Sequence, residues 1–393
     1  MKRFLLVFFL SFPFFLLNAQ EQLISDGYYR VFNKKTGRYI YVCDNTGKID
    51  FVAVTADMGA VQLWTPEYRN PHSDPASVVY LEHTGTNTGG PYYNISSQGT
   101  SIKQIIDYYV YISSYKPAGE PEYYQLYAEG KYLCDNESTS LPSGALGYEQ
   151  KGDFRKWLAN KVDPDSDEWF GIESTVNVQG RYLHPFYADF GFSCVPAGMK
   201  VWYITAVDKD GAVIKEITDN VIPANTPVFI ECVSPDAREN KIDLVYSNAA
   251  GPQDNQLKGV YFNNQYRPKS VSARKEFDRN TMRVLGVMED GRLGYVLSKV
   301  KPDSKSKKQY LLANQSYLTV GPEIPDEIPL ITEAEYQDIL AEREALVSPV
   351  SDASRLYNVF SISGEFKGKL SKDEIDKLQS GIYIIDNRKV VID

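Results

Sequence analysis

The first part of the chain alternates apolar and polar residues in short runs separated by glycine turns. The run Tyr28–Phe32 is followed by the turn Asn33–Gly37 and then by the run Arg38–Cys43. The same order returns later, where a glycine turn joins the run Tyr123–Tyr127 to the run Lys131–Asn136. Alternation with a period of two residues, interrupted by a glycine turn, is typical of β-hairpins. The pattern therefore predicts hairpins rather than helices.

A weaker third copy of this pattern lies between the other two. It consists of Val78–Leu81, a glycine-rich turn and Tyr92–Ile95. Repeated hairpin units of similar length indicate an internally symmetric domain. We therefore expect an all-β unit with pseudo-threefold symmetry over residues 20–176. The 29 tyrosines of the chain agree with this, because aromatic residues favour strands.

Two of the copies carry tryptophan motifs. The stretch Gly37–Pro66 ends in Gln62-Leu63-Trp64 and resembles a repeat of the ricin-type β-trefoil family, whose signature is Gln-x-Trp. The last copy resembles such a repeat in Trp157 and Trp169, although Asp167 stands where the family has Gln. The resemblance implies a β-trefoil-like fold in which one aromatic ring stacks on a sugar and the signature tryptophan packs in the core.

The last copy supplies the candidate sugar site. In the first copy, the apolar run Phe51–Val54 stands where the stacking aromatic is expected, which disfavours a site there. The ring of Trp157 would stack on a sugar, and the neighbouring polar side chains would hydrogen-bond its hydroxyls. The ligand-binding residues that we predict are Asp135, Asn136, Trp157 and Asp167. In the alternative interpretation Trp157 and Trp169 both belong to the hairpin core, and for Trp169 this alternative is favoured.

Residues 177–322 have longer strand patterns and predict a β-sandwich-like module. Lys200–Val207 alternates up to a turn, and Val228–Cys232 is an apolar run with the length of a buried strand. The segment resembles an all-β module of exported proteins from Gram-negative anaerobes in Phe186-Tyr187-Ala188, Val221–Val228, Gly291–Tyr295 and Ala313–Leu318. That family is linked to the cell surface and has no agreed catalytic residues.

The pattern changes again after residue 322. We expect residues 323–355 to be a proline-stiffened linker with one acidic helix, because Thr332–Glu335 has the sequence of a capping box. Residues 356–393 predict a small β-tail, which resembles the sorting domain of type IX secretion in Tyr357–Gly364 and Gly381–Ile385. Between those strands, the insert Lys367–Leu378 has a helical pattern.

Residues 1–19 have the pattern of a secretory signal peptide. Lys2 and Arg3 precede the apolar run Phe4–Leu17, and Ala19 offers a small residue before Gln20. No later stretch reaches 18 apolar residues, so we expect no transmembrane segment. The chain carries a net charge of −9, which removal of Lys2 and Arg3 takes to −11. This balance disfavours nucleic acid as a partner.

Motifs for catalysis are missing from the sequence. It has no nucleophile elbow, no His-Glu-x-x-His pair and no phosphate loop, and its three histidines disfavour a histidine-rich metal site. The four cysteines match no zinc pattern and leave both free thiols and disulfides open. We therefore expect no cofactor and no metal. The sequence favours an exported, non-catalytic, glycan-binding protein of the cell surface or the secreted fraction. The alternatives are a structural or adhesive protein that contacts other surface proteins and, less favoured, a hydrolase.

Overall fold

The computed structural model describes residues 23–45, 48–54, 70–103, 109–115, 118–119, 122–128, 131–135, 147–148, 152–262, 275–302, 307–347 and 356–392. The protein is built almost entirely from β-strands, which confirms the all-β class. The first unit contains β1 (Gly27–Asn33), β2 (Tyr39–Asn45), β3 (Lys48–Val54), β4 (Val79–Asn87), β5 (Gly90–Ser97), β6 (Thr100–Ser101), β7 (Val110–Tyr115), β8 (Tyr123–Ala128), β9 (Lys131–Cys134), β10 (Gly147–Tyr148) and β11 (Trp157–Lys161).

Six of these strands form a closed ring. Strand β1 pairs with β4, and the ring continues through β5, β7, β8 and β11, which pairs again with β1. All six pairs are antiparallel. Closing the ring leaves its strands without free edges, which stabilises the sheet against pairing with other chains. Strands β2 and β3 pair outside the ring, as do β9 and β10.

The interior of the ring is filled by every second residue of its strands. Tyr93 and Ile95 of β5 are buried there, together with Val110, Ile112 and Leu126 from the next two strands. Because side chains alternate across a strand, the residues between these buried ones point to the outer surface of the ring. This alternation determines which tyrosines are available to a ligand.

The middle unit consists of a ten-stranded and a three-stranded sheet. Phe192 of the smaller sheet packs edge-on against Phe186 of the larger one, with 5.4 Å between ring centroids, and side chains of both sheets share one core. The strands are β12 (Phe170–Gly171), β13 (Val176–Val178), β14 (Arg181–Phe186), β15 (Gly191–Cys194), β16 (Lys200–Asp208), β17 (Gly211–Glu216), β18 (Val228–Cys232), β19 (Lys241–Val245), β20 (Leu257–Val260), β21 (Met282–Val287), β22 (Leu293–Val296), β23 (Gln315–Thr319) and β24 (Ile328–Thr332).

The segment expected as a linker contributes to this middle unit. Strand β24 pairs in parallel with β17 and antiparallel with β22, and Ile324 and Ile328 are buried. The proline-rich stretch is thus held by packing of its isoleucines, which the proline pattern alone does not reveal. Helix α1 (Glu333–Val347) follows, and its capping box is confirmed: Glu335 N–H donates to Thr332 Oγ1 at 3.2 Å, and Thr332 N–H donates to the Glu335 carboxylate at 2.6 Å.

The tail forms a separate four-stranded sheet. It consists of β25 (Tyr357–Ser361), β26 (Phe366–Leu370), the four-residue helix α2 (Lys372–Ile375), β27 (Gly381–Ile385) and β28 (Arg388–Ile392). The predicted strands at 357–364 and 381–385 are present, but the insert expected to be helical begins as strand β26. Leu370 of that strand pairs with Tyr357, so pairing with β25 overrides the local helical pattern.

The first and middle units meet through polar groups. The side-chain amides of Gln98 and Asn314 donate to each other at 2.7 Å in both directions, and both residues are buried. Beside them, Gly99 N–H donates to the Asp189 carboxylate at 3.1 Å. Asp189 borders a small cavity of about 70 Å³ whose walls include Tyr28, Tyr80, Ser96, Phe190 and Tyr246. Burial raises the pKa of the Asp189 carboxyl to about 6.

Asp189 should make the protein less stable as the pH rises from about 4 to about 6. The unfolded chain releases this proton near 3.8, whereas the folded protein keeps it until about 6. Between these values the contribution of Asp189 to the free energy of unfolding falls by at most about 1.4 kcal/mol per pH unit. In urea unfolding at pH 4, 5, 6 and 7, the stability of Asp189→Asn relative to the wild type should therefore increase as the pH rises from 4 to 6.

His184 changes stability in the opposite direction over the same range. Burial lowers its pKa to about 4, so protonation of the unfolded chain below about 6.5 favours unfolding. Both the wild type and Asp189→Asn carry His184, and the difference between them isolates Asp189. A stability difference that stays constant from pH 4 to pH 7 would contradict the role of Asp189.

Candidate functional site

The predicted sugar-site residues do not share an exposed surface in the structure. Trp157 is completely buried, and its Nε1–H donates to the Leu133 carbonyl at 3.1 Å. A ring without an exposed face cannot stack on a ligand, so the expectation for Trp157 is corrected and the alternative, a core residue, describes it. Asn136 lies outside the described residues.

The two aspartates of that prediction have different environments. Asp135 is buried at the end of β9, where its carboxylate lies 2.8 Å from Arg38 Nη2 and accepts from Thr36 Oγ1 at 2.6 Å. These contacts tie the turn between β1 and β2 to the end of β9, which makes Asp135 a structural residue and corrects its assignment to the ligand site. Asp167 is exposed in the turn before Trp169.

Trp169 also differs from its predicted place in the hairpin core. Its ring is only partly buried and stacks on His72, with 4.4 Å between ring centroids and an angle of 19° between the planes. His72 Nδ1 lies 2.9 Å from the Trp169 carbonyl oxygen. The imidazole therefore covers one face of the indole and leaves little of this ring for a ligand.

An aromatic surface lies instead on the outside of the ring of strands. Tyr92 of β5 pairs with Tyr111 of β7, Tyr111 pairs with Tyr127 of β8, and Tyr127 pairs with Tyr132 of β9. Directly paired residues lie side by side on one face of a sheet. These four residues, which we call the tyrosine row, therefore cross four adjacent strands on one face. Their neighbours Tyr93, Val110 and Leu126 point into the core.

One ring of the row is exposed, the other three are half-buried, and the rings lie close to their neighbours. Tyr127 is 37% exposed, and the neighbouring Tyr109 is 38% exposed. The ring centroids are 5.8 Å apart for Tyr92 and Tyr111, 5.5 Å for Tyr92 and Tyr109, and 5.2 Å for Tyr127 and Tyr132. The rings thus form two close groups, which the pairing of Tyr111 with Tyr127 places side by side. An aromatic surface of this kind is a candidate binding site.

Polar groups border the tyrosine row and hold its rings. Asn87 Nδ2 donates to the Tyr111 hydroxyl at 2.7 Å, and Asn87 Oδ1 accepts from Gly89 N–H at 2.8 Å. The Arg155 guanidinium lies 4.7 Å from the centre of the Tyr132 ring, and the Lys103 ammonium lies 5.1 Å from that of Tyr109. Cation–π contacts of this kind restrict the orientation of both rings.

Sequence reasoning missed the tyrosine row because it followed the tryptophans. A signal was present, since Tyr92, Tyr111 and Tyr127 each alternate with core residues along their own strands. What the sequence does not provide is the register between strands. A shift of one residue would move each of these rings to the inner face.

A concave surface lies in the middle unit. It is a cleft of about 510 Å³ between β13, β14, β21 and β22, with mostly apolar walls that include Val176, Pro185, Leu285 and Val296. Its size is within the range of ligand pockets, and polar residues also line it, namely Thr175, Asn177, Ser298, Lys299 and Gln315. The cleft is therefore a further candidate site beside the tyrosine row.

The described residues offer little for nucleophilic or metal chemistry. Burial raises the pKa of the Cys194 thiol to about 11 and that of Cys232 to about 12, which keeps both protonated and weakly nucleophilic. Cys134, Cys194 and Cys232 are free thiols, whereas the side chain of Cys43 is outside the described part. Within that part, no three His, Cys, Asp or Glu side chains come together as metal ligands, and no helix is long and apolar enough to cross a membrane.

Comparisons with known proteins give no family. No protein-family model and no curated protein matches the chain. A mosquitocidal holotoxin of known structure aligns with 78% of this chain at 10% sequence identity and a TM-score of 0.25. This chain covers 45% of the toxin chain. A likeness with so low a TM-score carries no argument about fold or function.

Proposed function

We propose that the protein is an exported, non-catalytic glycan-binding protein and that the tyrosine row is its binding surface. The row of four tyrosines on the outer face of adjacent strands, of which Tyr127 is exposed and the other three are half-buried, is the observation that carries this proposal. The proposal of export is supported by the apolar run Phe4–Leu17 behind Lys2 and Arg3. The partner is thus an extracellular or cell-surface glycan.

We also propose that the first unit is a β-trefoil. The order of pairing supports this assignment, because β1 with β4, β5 with β7, and β8 with β11 form three successive pairs that together close the ring. In the first and third of these, a further hairpin lies outside the ring between the two paired strands. The Gln62-Leu63-Trp64 motif lies outside the described residues.

Tyrosine suits the recognition of sugars for two reasons. Its ring presents a rigid apolar face that packs on the C–H groups of a pyranose, and its hydroxyl exchanges hydrogen bonds with sugar hydroxyls. In Tyr111 the hydroxyl oxygen accepts from Asn87, which directs its own hydrogen toward another acceptor. A sugar hydroxyl over the row would be such an acceptor.

Substitution of one ring tests the proposal. Tyr127→Ala should weaken glycan binding about 3- to 10-fold, because an aromatic contact contributes about 0.5–1.5 kcal/mol beyond the area it buries. The measurement is a glycan array with the mature protein, followed by titration calorimetry with the glycans that bind. The melting temperature should change little, because Tyr127 is exposed.

Tyr246→Ala is the matched control. Tyr246 is 58% exposed but stacks on Tyr80, away from the tyrosine row, and its removal should leave glycan affinity unchanged. Equal losses in both variants would contradict the assignment of the site. An array without any saturable signal would overturn glycan binding and favour the structural or adhesive alternative, in which the same surface contacts a protein.

A further inference from the structure

The spacing and curvature of the tyrosine row restrict the kind of glycan that it fits. We propose that the row binds a single, soluble, extended glycan chain along at least three consecutive sugar units, rather than one terminal sugar or the face of a crystalline polysaccharide. This inference rests on the proposed function and adds the class of ligand to it.

The length of the row sets the number of sugar units. Tyr92, Tyr111, Tyr127 and Tyr132 belong to four neighbouring strands. Adjacent strands lie about 4.8 Å apart, so the row is about 14 Å long. One pyranose in an extended chain is about as long as the distance between two strands. Successive sugars of one chain therefore come into register with successive rings, and the three intervals between the four rings accommodate about three to four units.

The orientation of the rings excludes a flat ligand. The ring planes of Tyr92 and Tyr111 differ by 58°, and those of Tyr127 and Tyr132 by 67°. The row also crosses strands β5, β7 and β8 of a closed ring, whose outer surface is convex. Adjacent strands are rotated by about 20–25° as well. A rigid flat surface would contact about two of these rings, whereas a single chain can turn with them.

The polar groups around the row fit a hydroxyl-rich chain. Asn87 lies beside the centre of the row, where it holds the Tyr111 hydroxyl at 2.7 Å. The tyrosine hydroxyls of the row can both donate and accept, as sugar hydroxyls do. Several such hydrogen bonds along one chain would each add to the binding affinity. A terminal sugar on one ring could form only the hydrogen bonds available at that ring.

Length-dependent binding tests the inference. The probes are β-1,4-linked oligomers of glucose and of N-acetylglucosamine with one to six units, titrated into the mature protein by calorimetry. We expect affinity to rise at least 10-fold from one unit to three and to change less than 3-fold beyond four. Microcrystalline cellulose and chitin should retain less protein than the soluble hexamers bind at the same sugar concentration.

Two variants locate the chain on the row. Tyr111→Ala removes the second ring and should reduce the rise in affinity between oligomers of one and three sugar units. Tyr92→Ala removes one end, and the length at which affinity stops rising should become shorter by about one unit. Tyr246→Ala should keep the length dependence of the wild type.

The outcomes separate the two proposals. Equal affinity for one unit and four, or stronger binding to the crystalline polymers than to the hexamers, would overturn the extended-chain inference while glycan binding by the row stands. Length-dependent binding that Tyr92→Ala and Tyr111→Ala both leave unchanged would also overturn it. Failure of both oligomer series together with an empty glycan array would overturn the proposed function itself.

Discussion

Trp157→Ala should lower the free energy of unfolding by about 3–5 kcal/mol, which is the usual loss when a buried tryptophan is truncated to alanine. The ring is completely buried in the core of the first unit, next to Ile40, Leu126 and Leu133. Trp157 also begins β11, the strand that closes the ring between β8 and β1. The substitution leaves a cavity at the position where the barrel closes. Urea unfolding followed by far-ultraviolet circular dichroism measures the loss.

Two further substitutions serve as controls for Trp157. Trp157→Phe keeps most of the ring and loses the hydrogen bond to the Leu133 carbonyl, so it should cost less than Trp157→Ala. Trp169→Ala should cost less still, because its ring is partly exposed. A Trp157→Ala protein with normal stability and weakened glycan binding would contradict the core assignment and restore Trp157 to the sugar site.

Asp135→Ala should also destabilise the protein strongly, by about 3–5 kcal/mol, because it leaves the buried charge of Arg38 without this carboxylate. The side chain of Asp135 is completely buried, and that of Arg38 is 7% exposed. The hydrogen bond from Thr36 Oγ1 is lost as well. The same urea experiment measures the effect.

An exposed pair of the same residue types is the matched control. Arg292 and Asp290 form an ion pair at 2.7 Å in which both side chains are largely exposed, and Asp290→Ala should cost at most about 1 kcal/mol. Replacement of both buried charges, as in Arg38→Met with Asp135→Leu, should recover part of the loss of Asp135→Ala. If Asp135→Ala is stable and loses only glycan affinity, Asp135 is a ligand residue after all.

Local patterns in the sequence predicted many elements correctly. Alternation identified the strands around Tyr28, Tyr123 and Lys200, and a continuous apolar run identified the strand Val228–Cys232, which is buried at four of its five positions. The capping box at Thr332 identified the start of helix α1, because its hydrogen bonds join residues only three positions apart. Each of these signals depends on neighbours along the chain, and none requires knowledge of the fold.

The structure decided what depends on neighbours across the fold. The sequence assigned Trp157 and Trp169 to the same repeat, yet Trp157 lies inside the ring of strands and Trp169 is partly exposed and stacks on His72. The segment 367–370 has a helical pattern but pairs with β25. In both cases, burial and pairing come from segments far away in sequence, and these outweigh the local preference.

The sequence by itself determined that the protein is all-β, that many of its tyrosines lie in strands, and where helix α1 begins. Only the tertiary structure decided that Tyr92, Tyr111, Tyr127 and Tyr132 form one row on the outer face and that Asp135 is an internal partner of Arg38. The physical reason is register. A strand's own sequence determines which residues share a face, but the hydrogen bonds to neighbouring strands determine which faces and residues meet.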